Sequence, residues 1–146
     1  MNIKRANLYL DNLDPTVGSE INKTRPVVVV SNDINNKYSN TVTVLPITSN
    51  TASIYPFEVL LTIRTGNLPK ESKVKADQIR TIDKARLVKE IGSLSIGIMN
   101  EIESALKIHL HYSIHFHTIF HAATFISSQR MQKKKKSGCS ILLTAH

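Results

Sequence analysis

The sequence has a single cysteine, Cys139, in 146 residues. One cysteine excludes an internal disulfide and a zinc site built on cysteine ligands, and it suits a reducing compartment, so we expect a cytoplasmic protein. No apolar run as long as a signal peptide follows the N-terminus, because Asp11, Asn12 and Asp14 interrupt it, and we expect no export by that route. A chain of this length forms one domain with a hydrophobic core, which excludes a two-domain enzyme.

Acidic residues are absent from the C-terminal part of the chain. Residues 1–106 hold all eleven acids and thirteen of the nineteen Lys and Arg, whereas residues 107–146 hold six basic residues and every histidine. The net charge of +8 favours a polyanionic partner such as nucleic acid. The change in composition predicts a folded domain at 1–110 and an atypical tail at 111–146, and we expect residues beyond about 112 to add neither stability nor activity.

The histidine-rich tail raises two other hypotheses. His111 with His115, and His117 with His121, stand four residues apart, a spacing that on a helix can bring two imidazoles to one metal ion. No cysteine or acid lies nearby to complete a site, so we expect no metal. Residues 108–126 are apolar enough to suggest a membrane helix, but five histidines inside the segment are costly in hydrocarbon, and we expect no membrane partner.

The first 110 residues show the pattern of an α+β fold, with short strands followed by helices. Strands are predicted at 7–13, 26–30, 41–48, 57–63, 72–76 and 79–82, and the runs at 26–30 and 41–48 have the β-branched composition of strands buried on both faces. The asparagine-rich segment 32–40 is predicted to be a loop. A short helix is predicted at 84–91, after Asp83 and before Gly92, and a longer one after Ser95, with apolar residues at helical spacing from Ile98 to Leu106.

Several ordered blocks of sequence resemble the MazF/PemK family of toxin endoribonucleases. They are Tyr9-Leu10, Leu13-Asp14-Pro15-Thr16-Val17-Gly18-Ser19-Glu20, Thr24-Arg25-Pro26-Val27-Val28-Val29-Val30, Asn32-Asp33, Leu45-Pro46-Ile47-Thr48 and Gln78-Ile79-Arg80-Thr81-Ile82-Asp83. Blocks in the right order at the right separations are more specific than any one short motif. The resemblance covers roughly residues 4–110.

The resemblance implies a small SH3-like β-barrel of the MazF/CcdB type with a C-terminal helix, assembled as a homodimer. It implies cleavage of single-stranded RNA at short preferred sequences, without metal or other cofactor, through a 2′,3′-cyclic phosphate. It also implies inhibition by a cognate antitoxin whose acidic segment occupies the RNA groove. Binding to operator DNA is expected only together with that antitoxin.

The resemblance assigns the catalytic pair to Arg25 and Thr48. The guanidinium of Arg25 can donate several hydrogen bonds to phosphate oxygens and remains protonated, so it suits charge stabilisation or acid catalysis better than base catalysis. The hydroxyl of Thr48 can orient a non-bridging oxygen. Taken singly, Arg25 is explained as an arginine at a strand edge and Thr48 as a β-branched strand residue. The spacing shared with the family is what favours a catalytic role for the two.

Further RNA-binding or supporting roles follow from the same resemblance for Ser19, Glu20, Asn32, Gln78 and Arg80. Their side chains can read the edges of unstacked bases or contact phosphates, although ordinary turn and capping roles explain them nearly as well. The start of the chain departs from the family, which typically has Arg-Gly-Asp or Arg-Gly-Glu where this sequence has Arg5-Ala6-Asn7. Alanine is harmless there unless the backbone requires a positive φ or a close approach to RNA.

Two alternative functions remain open from the sequence. The altered N-terminus and the tail suggest a catalytically weakened module that binds RNA or the antitoxin and takes part in autoregulation. The CcdB toxins share the fold and poison DNA gyrase, but gyrase binding does not need the pair Arg25 and Thr48, which disfavours this alternative.

Overall fold

The computed structural model describes residues 1–12 and 24–112. Predictions that concern residues 13–23 and 113–146, among them the roles of Ser19 and Glu20 and the spacing of the tail histidines, lie outside the described residues. Within the described part, seven strands and two α-helices follow one another, with 3-10 turns at 65–67, 76–78 and 84–86. The elements are β1 (Asn7–Asn12), β2 (Thr24–Val29), α1 (Asp33–Tyr38), β3 (Thr41–Thr48), β4 (Glu58–Leu61), β5 (Ser72–Lys75), β6 (Arg80–Asp83), β7 (Leu87–Ser93) and α2 (Ile96–His109).

The seven strands form one antiparallel sheet in the order β4-β5-β3-β2-β1-β7, with β6 paired to β3 outside this path. Strand β3 is the centre of the sheet. One of its edges pairs with β2, while the other pairs with β6 through residues 41–44 and with β5 through Ile47 and Thr48. The hydrogen-bonded path is not closed within the described residues, and the curved sheet with a helix after it agrees with the predicted SH3-like, barrel-type α+β fold.

Side chains of β2 pack alternately on the two faces of the sheet. Val28 belongs to one buried cluster together with Leu45, whereas Val27 and Val29 belong to a second cluster together with Val44. Full burial of an aliphatic side chain of this size contributes about 1.5–3 kcal/mol to the free energy of unfolding. The prediction that β2 and β3 are buried on both faces is therefore confirmed.

Helix α2 covers the first of these clusters. Ser95 caps it, because its side-chain oxygen accepts a hydrogen bond from the backbone N–H of Ile98 at 3.4 Å. Met99, Ile102 and Ala105 recur at intervals of three residues and are buried in the cluster. The predicted helix after Ser95 is confirmed. Among the described residues, no helix has the length and apolar character needed to cross a membrane.

The predicted helix at 84–91 was wrong. Asp83 caps only a single 3-10 turn, accepting from the N–H of Ala85 at 2.7 Å, and the chain then enters β7, which pairs with β1. The edge of β1 offers backbone donors and acceptors that a helix would leave unpaired, and this pairing outweighs the local helix propensity. Gly92 is not a helix stop either, because it lies inside β7. A glycine is required there by the close approach of Gly66, whose carbonyl oxygen would be 2.6 Å from a Cβ.

The predicted loop at 32–40 was also wrong in part, because residues 33–38 form the helix α1. Asn32 caps it by accepting from the N–H of Asn35 at 2.8 Å. Asn36 is 3% exposed, and its side-chain amide donates to the carbonyl oxygen of Ser31 at 3.0 Å. Short-range bonds from asparagine side chains thus stabilise a helical turn where composition alone indicates a loop.

The backbone at Ala6 has a φ of +71°. Its N–H donates to the carbonyl oxygen of Val29 at 2.9 Å, and its carbonyl accepts from Leu94 at 3.0 Å, so β2 and the end of β7 hold this conformation. A residue with a Cβ is disfavoured in the left-handed region. Alanine at this position therefore lowers the stability relative to glycine, because the backbone has the positive φ that the sequence analysis named as the exception.

Candidate active site

Arg25 and Thr48 meet at one end of the central strands. Val27 pairs with Pro46 and Val28 with Leu45, and the same antiparallel register, continued by two residues, places Arg25 across from Thr48. Residues opposed in an antiparallel pair present their side chains on the same face of the sheet. The fold thus brings together two residues that are 23 positions apart in the sequence, and both are partly buried.

A cavity of about 270 Å³ lies where β2 and β3 meet the chain that leads into β5. Its walls include Arg25 and Ile47 from the two central strands and Lys70 and Ser72 from the neighbouring segment. Of the predicted pair, Arg25 lines the cavity, whereas Thr48 lies between the lining residues Ile47 and Ser49 and is not itself in the wall. Pro26, Leu68 and Pro69 also line the cavity, so its walls combine apolar side chains with polar ones.

The hydroxyl of Thr48 has a defined local contact. Its oxygen accepts a hydrogen bond from the backbone N–H of Asn50 at 3.3 Å, just after β3 ends. This bond uses an acceptor position of the oxygen and leaves its hydrogen to donate elsewhere. Thr48 can therefore act as the hydrogen-bond donor that the sequence analysis expected.

A buried carboxylate lies on the other side of Arg25. Asp11 of β1 is directly paired with Arg25, is 0% exposed, and neither of its carboxylate oxygens accepts a hydrogen bond within the described residues. Nε of Arg86 is 3.9 Å from its Oδ1. Burial raises the pKa of Asp11, and the positive charges of Arg86 and Arg80 oppose that increase. The sequence analysis missed Asp11, although a charged residue at the buried positions of a strand was a usable signal.

A second buried carboxylate lies next to Thr48. Lys73 of β5 is the direct partner of Thr48, and its Nζ is 2.8 Å from Oε2 of Glu58. Nζ of Lys75 is 3.2 Å from the other oxygen of that carboxylate. Burial alone would raise the pKa of Glu58, but hydrogen bonds from Lys73 and from the backbone of Tyr55 hold it below its usual value. The sequence analysis missed this ion pair, because only the strand register brings its members together.

The other predicted site residues that the structure describes differ in their positions relative to Arg25 and Thr48. Asn32 is exposed and follows the far end of β2, roughly 20 Å from Arg25 at the usual rise per residue, and its side chain caps α1. Gln78 ends the 3-10 turn before β6, and Arg80, which pairs with Val44, begins that strand. Arg80 is thus close enough to act on the charge of Asp11, whereas Asn32 is not brought to the pair Arg25 and Thr48 within this chain.

Residues 4–110 match the family described as the PemK-like, MazF-like toxin of the type II toxin-antitoxin system. The chain belongs to this toxin family. The match covers most of the toxin, including every strand and helix of the structure, and it confirms the resemblance found in the motifs.

Individual relatives agree with the family match. The toxin is 42% identical over 113 residues to Endoribonuclease MazF9 of Mycobacterium tuberculosis H37Rv, an alignment that covers 74% of this chain and 96% of the relative. It also resembles the crystal structure of MazF from Deinococcus radiodurans, with 26% identity, a TM-score of 0.67, and coverage of 76% of this chain and 98% of the other. A MazE-MazF structure from the same organism matches with 26% identity, a TM-score of 0.64, and coverage of 77% and 99%.

Metal ligands are not clustered in the part of the toxin that the structure describes. Within residues 1–12 and 24–112, no three His, Cys, Asp or Glu side chains lie close enough together to hold a metal ion. The buried acids near the predicted pair instead face arginine and lysine side chains. The described site is thus built from cationic groups and a hydroxyl.

Proposed function

We propose that this toxin is an endoribonuclease that cleaves single-stranded RNA, with Arg25 and Thr48 at the reaction centre. The observation that supports the proposal is the register of β2 and β3, which, continued by two residues, sets Arg25 opposite Thr48. Arg25 also lines a cavity of about 270 Å³. Membership of the toxin family and the 42% identity to a protein named an endoribonuclease support the same reaction.

The proposed reaction uses the RNA itself as the nucleophile. The 2′-hydroxyl loses its proton and attacks the adjacent phosphorus, the bond from phosphorus to O5′ breaks, and O5′ takes up a proton. The products are a 2′,3′-cyclic phosphate and a 5′-hydroxyl, so no water is consumed. The chemistry requires stabilisation of extra negative charge on the phosphate oxygens in the transition state.

The side chains of Arg25 and Thr48 are suited to that requirement. The guanidinium of Arg25 is a fixed positive fork that can donate to two phosphate oxygens as their charge increases. The hydroxyl of Thr48, whose oxygen already accepts from the Asn50 N–H, can donate its hydrogen to a non-bridging oxygen. A guanidinium carries N–H donors and no acceptor, so the contribution of Arg25 is charge stabilisation or proton donation to O5′. This mechanism needs no metal ion and no other cofactor.

The partners proposed for this toxin are single-stranded RNA and a cognate antitoxin with an acidic segment. The family description as a toxin of a type II toxin-antitoxin system supports the antitoxin. An acidic segment would complement Arg25, Arg80 and Arg86 at the end of the sheet, where it would compete with RNA phosphates. We further propose a cytoplasmic homodimer that binds operator DNA only together with the antitoxin.

Incubation with a long single-stranded RNA in excess EDTA tests the proposed reaction. We expect discrete cuts with cyclic phosphate ends, and we expect the cuts to disappear with Arg25→Ala and to weaken strongly with Thr48→Val. Lys89→Ala, which removes an exposed cation from β7, is the matched control and should cut like the unaltered protein. A folded protein that binds RNA but leaves it intact would be a binding module instead, and a requirement for topoisomerase would indicate a gyrase poison.

We also propose that the functional domain comprises residues 1–110 and that the tail adds nothing to it. The family match ends at residue 110, and the acid-free composition begins at 107. A truncation after Tyr112 should match the full chain in RNA cleavage and in its thermal midpoint. A clear loss of either would refute this division.

A further inference from the structure

The segment between β3 and β4 places two aromatic rings on the surface. The rings of Tyr55 and Phe57 are parallel within 5°, with centroids 5.5 Å apart. His109, in the last turn of α2, also contacts Phe57, with a centroid distance of 6.0 Å and a tilt of 53°. We call these three side chains the aromatic platform. Tyr55 is 54% exposed, so about half of its surface is accessible to solvent.

The aromatic platform is next to the proposed reaction centre. Nζ of Lys73 is 6.0 Å from the centroid of the Tyr55 ring, and Lys73 is the strand partner of Thr48. Thr48, Lys73 and Glu58 share one face of the sheet, since the register pairs Thr48 with Lys73 and Lys75 with Glu58. The Tyr55 ring is therefore separated from the strand pair that carries Thr48 by a single lysine side chain.

The backbone that carries Tyr55 is held in place by the buried ion pair. Oε2 of Glu58 accepts from Nζ of Lys73 at 2.8 Å and from the backbone N–H of Tyr55 at 3.0 Å. The backbone N–H of Glu58 donates in return to the carbonyl oxygen of Tyr55 at 2.9 Å, and Lys73 also donates to the carbonyl oxygen of Ser53. An exposed ring on such a fixed segment loses little conformational entropy when a flat ligand stacks on it.

We infer that the aromatic platform binds an unpaired nucleobase of the RNA, the base adjacent to the phosphate held at Arg25 and Thr48. Every base has a π face, so stacking on Tyr55 would hold the substrate with little dependence on sequence. Nζ of Lys73 is 6.0 Å from the centroid of the ring and belongs to the strand partner of Thr48, so a base stacked on Tyr55 would lie beside the strand pair that carries Thr48. This inference rests on the proposed function, because it assigns a subsite to the same RNA.

Binding of an uncleavable RNA tests the aromatic platform directly. The probe is a single-stranded 2′-O-methyl RNA that carries 2-aminopurine at successive positions, and it lacks the nucleophilic hydroxyl. We expect quenching of 2-aminopurine at one position by the unaltered protein. With Tyr55→Leu we expect this quenching to disappear and the affinity to fall about tenfold or more, which is the size of effect that loss of one stacked base produces. Tyr55→Phe, which keeps the ring, should retain both signals.

Tyr38 provides a matched control elsewhere on the surface. It is a tyrosine in α1 that is 75% exposed, and Nζ of Lys37 is 5.2 Å from its ring centroid. Tyr38→Leu should leave quenching and affinity unchanged. If Tyr55→Leu binds and quenches like the unaltered protein, or if Tyr38→Leu causes an equal loss, the inference is wrong. It is equally wrong if Tyr55→Leu weakens binding of the antitoxin but not of RNA.

The binding and cleavage assays separate the two hypotheses. If the unaltered protein leaves RNA intact but still quenches the probe through Tyr55, the proposed reaction fails and the aromatic platform stands. If RNA is cut and Tyr55→Leu changes neither the KM nor the quenching, the reaction stands and the aromatic platform fails. A thermal midpoint of Tyr55→Leu close to that of the unaltered protein establishes that the variant is folded.

Discussion

Each side of the sheet contains a buried carboxylate, and the two carboxylates differ in their ionic and hydrogen-bond partners. On β4, Glu58 has a fully buried side chain and lies within 2.8 Å and 3.2 Å of two lysine ammonium groups. On β1, Asp11 is also fully buried, but Nε of Arg86 is 3.9 Å from its Oδ1, and neither oxygen accepts a hydrogen bond within the described residues. The pKa of Glu58 is consequently lowered and that of Asp11 is raised by burial.

This difference indicates that the two sides of the sheet support the proposed site differently, one through a fixed segment and the other through a cluster of arginines. On the β4 and β5 side, Lys73 forms an ion pair with Glu58 and donates to the carbonyl oxygen of Ser53, and these contacts fix the segment from Ser53 to Glu58. The β1 side leaves a buried acid among the arginines that are proposed to meet RNA, and it also begins with Ala6 at a positive φ. Departures from local stability of this kind are typical of functional sites.

The largest effect on stability is expected from Glu58→Gln. This change leaves Lys73 and Lys75 without their buried counter-charge, and breaking a buried pair in this way costs about 3–5 kcal/mol. Denaturant unfolding measures the loss. Glu101→Gln, which changes an exposed acid of α2, is the control and should alter the free energy of unfolding by less than about 0.5 kcal/mol. Equal stability of Glu58→Gln and the unaltered protein would show that the ion pair contributes nothing.

An opposite and smaller effect is expected from Asp11→Asn at neutral pH. The change removes a buried charge that has no hydrogen-bonded partner in the described structure, and we expect a gain of about 1–3 kcal/mol in the free energy of unfolding. Denaturant titration at pH 7 measures it. A loss of stability would mean that the attraction of Arg86 and Arg80 outweighs the cost of burial.

The pH dependence of stability distinguishes the two acids further. The pKa of Asp11 is raised in the folded state, so its favourable contribution is complete below the usual carboxyl pKa and is lost as pH rises through the folded value. The advantage of Asp11→Asn should therefore vanish in acid. The pKa of Glu58 is lowered, so its contribution is present above the usual pKa and is lost as pH falls through the folded value. Unfolding curves of each variant from pH 3 to 7 measure both trends.

The smallest effect is expected from Ala6→Gly, which relieves the left-handed conformation. Glycine adopts a φ of +71° without the steric cost of a Cβ, and we expect a gain of about 1 kcal/mol, with some loss from the methyl packed against the first cluster. Thermal unfolding measures it. Ala52→Gly in the exposed segment after β3, where φ is not positive, is the control and should not stabilise the protein.

Much of the fold was predictable because its signals are local. The β-branched runs of β2 and β3 and the cap at Ser95 depend on neighbouring residues, and the structure has them where the sequence predicts. The segment 84–91 was not predictable, because its helix propensity yields to pairing with β1, a partner almost eighty residues away. The cap at Asn32 was missed for a related reason, since asparagine is compatible with both a loop and the first turn of a helix.

The candidate site was predictable only in part. The motif spacing pointed to Arg25 and Thr48, and their roles stay a prediction that the register of β2 and β3, continued by two residues, supports. No motif marks the buried charged residues Asp11, Lys73 and Glu58. Their place beside the candidate site follows from their burial and from the strand pairing. Gln78 ends the 3-10 turn before β6 and Arg80 pairs with Val44 of β3, whereas Asn32 caps α1.

The sequence by itself determined the family, the strands at the centre of the sheet and the capped helix α2. These depend on the identity and order of neighbouring residues, which the chain carries before it folds. The tertiary structure alone decided that 87–93 is a strand, that Asp11 is buried without a hydrogen-bonded partner in the described residues, and that Tyr55 and Phe57 stack beside the partner of Thr48. Each of these depends on contacts between distant segments, whose free energies exceed the local preferences of the residues involved.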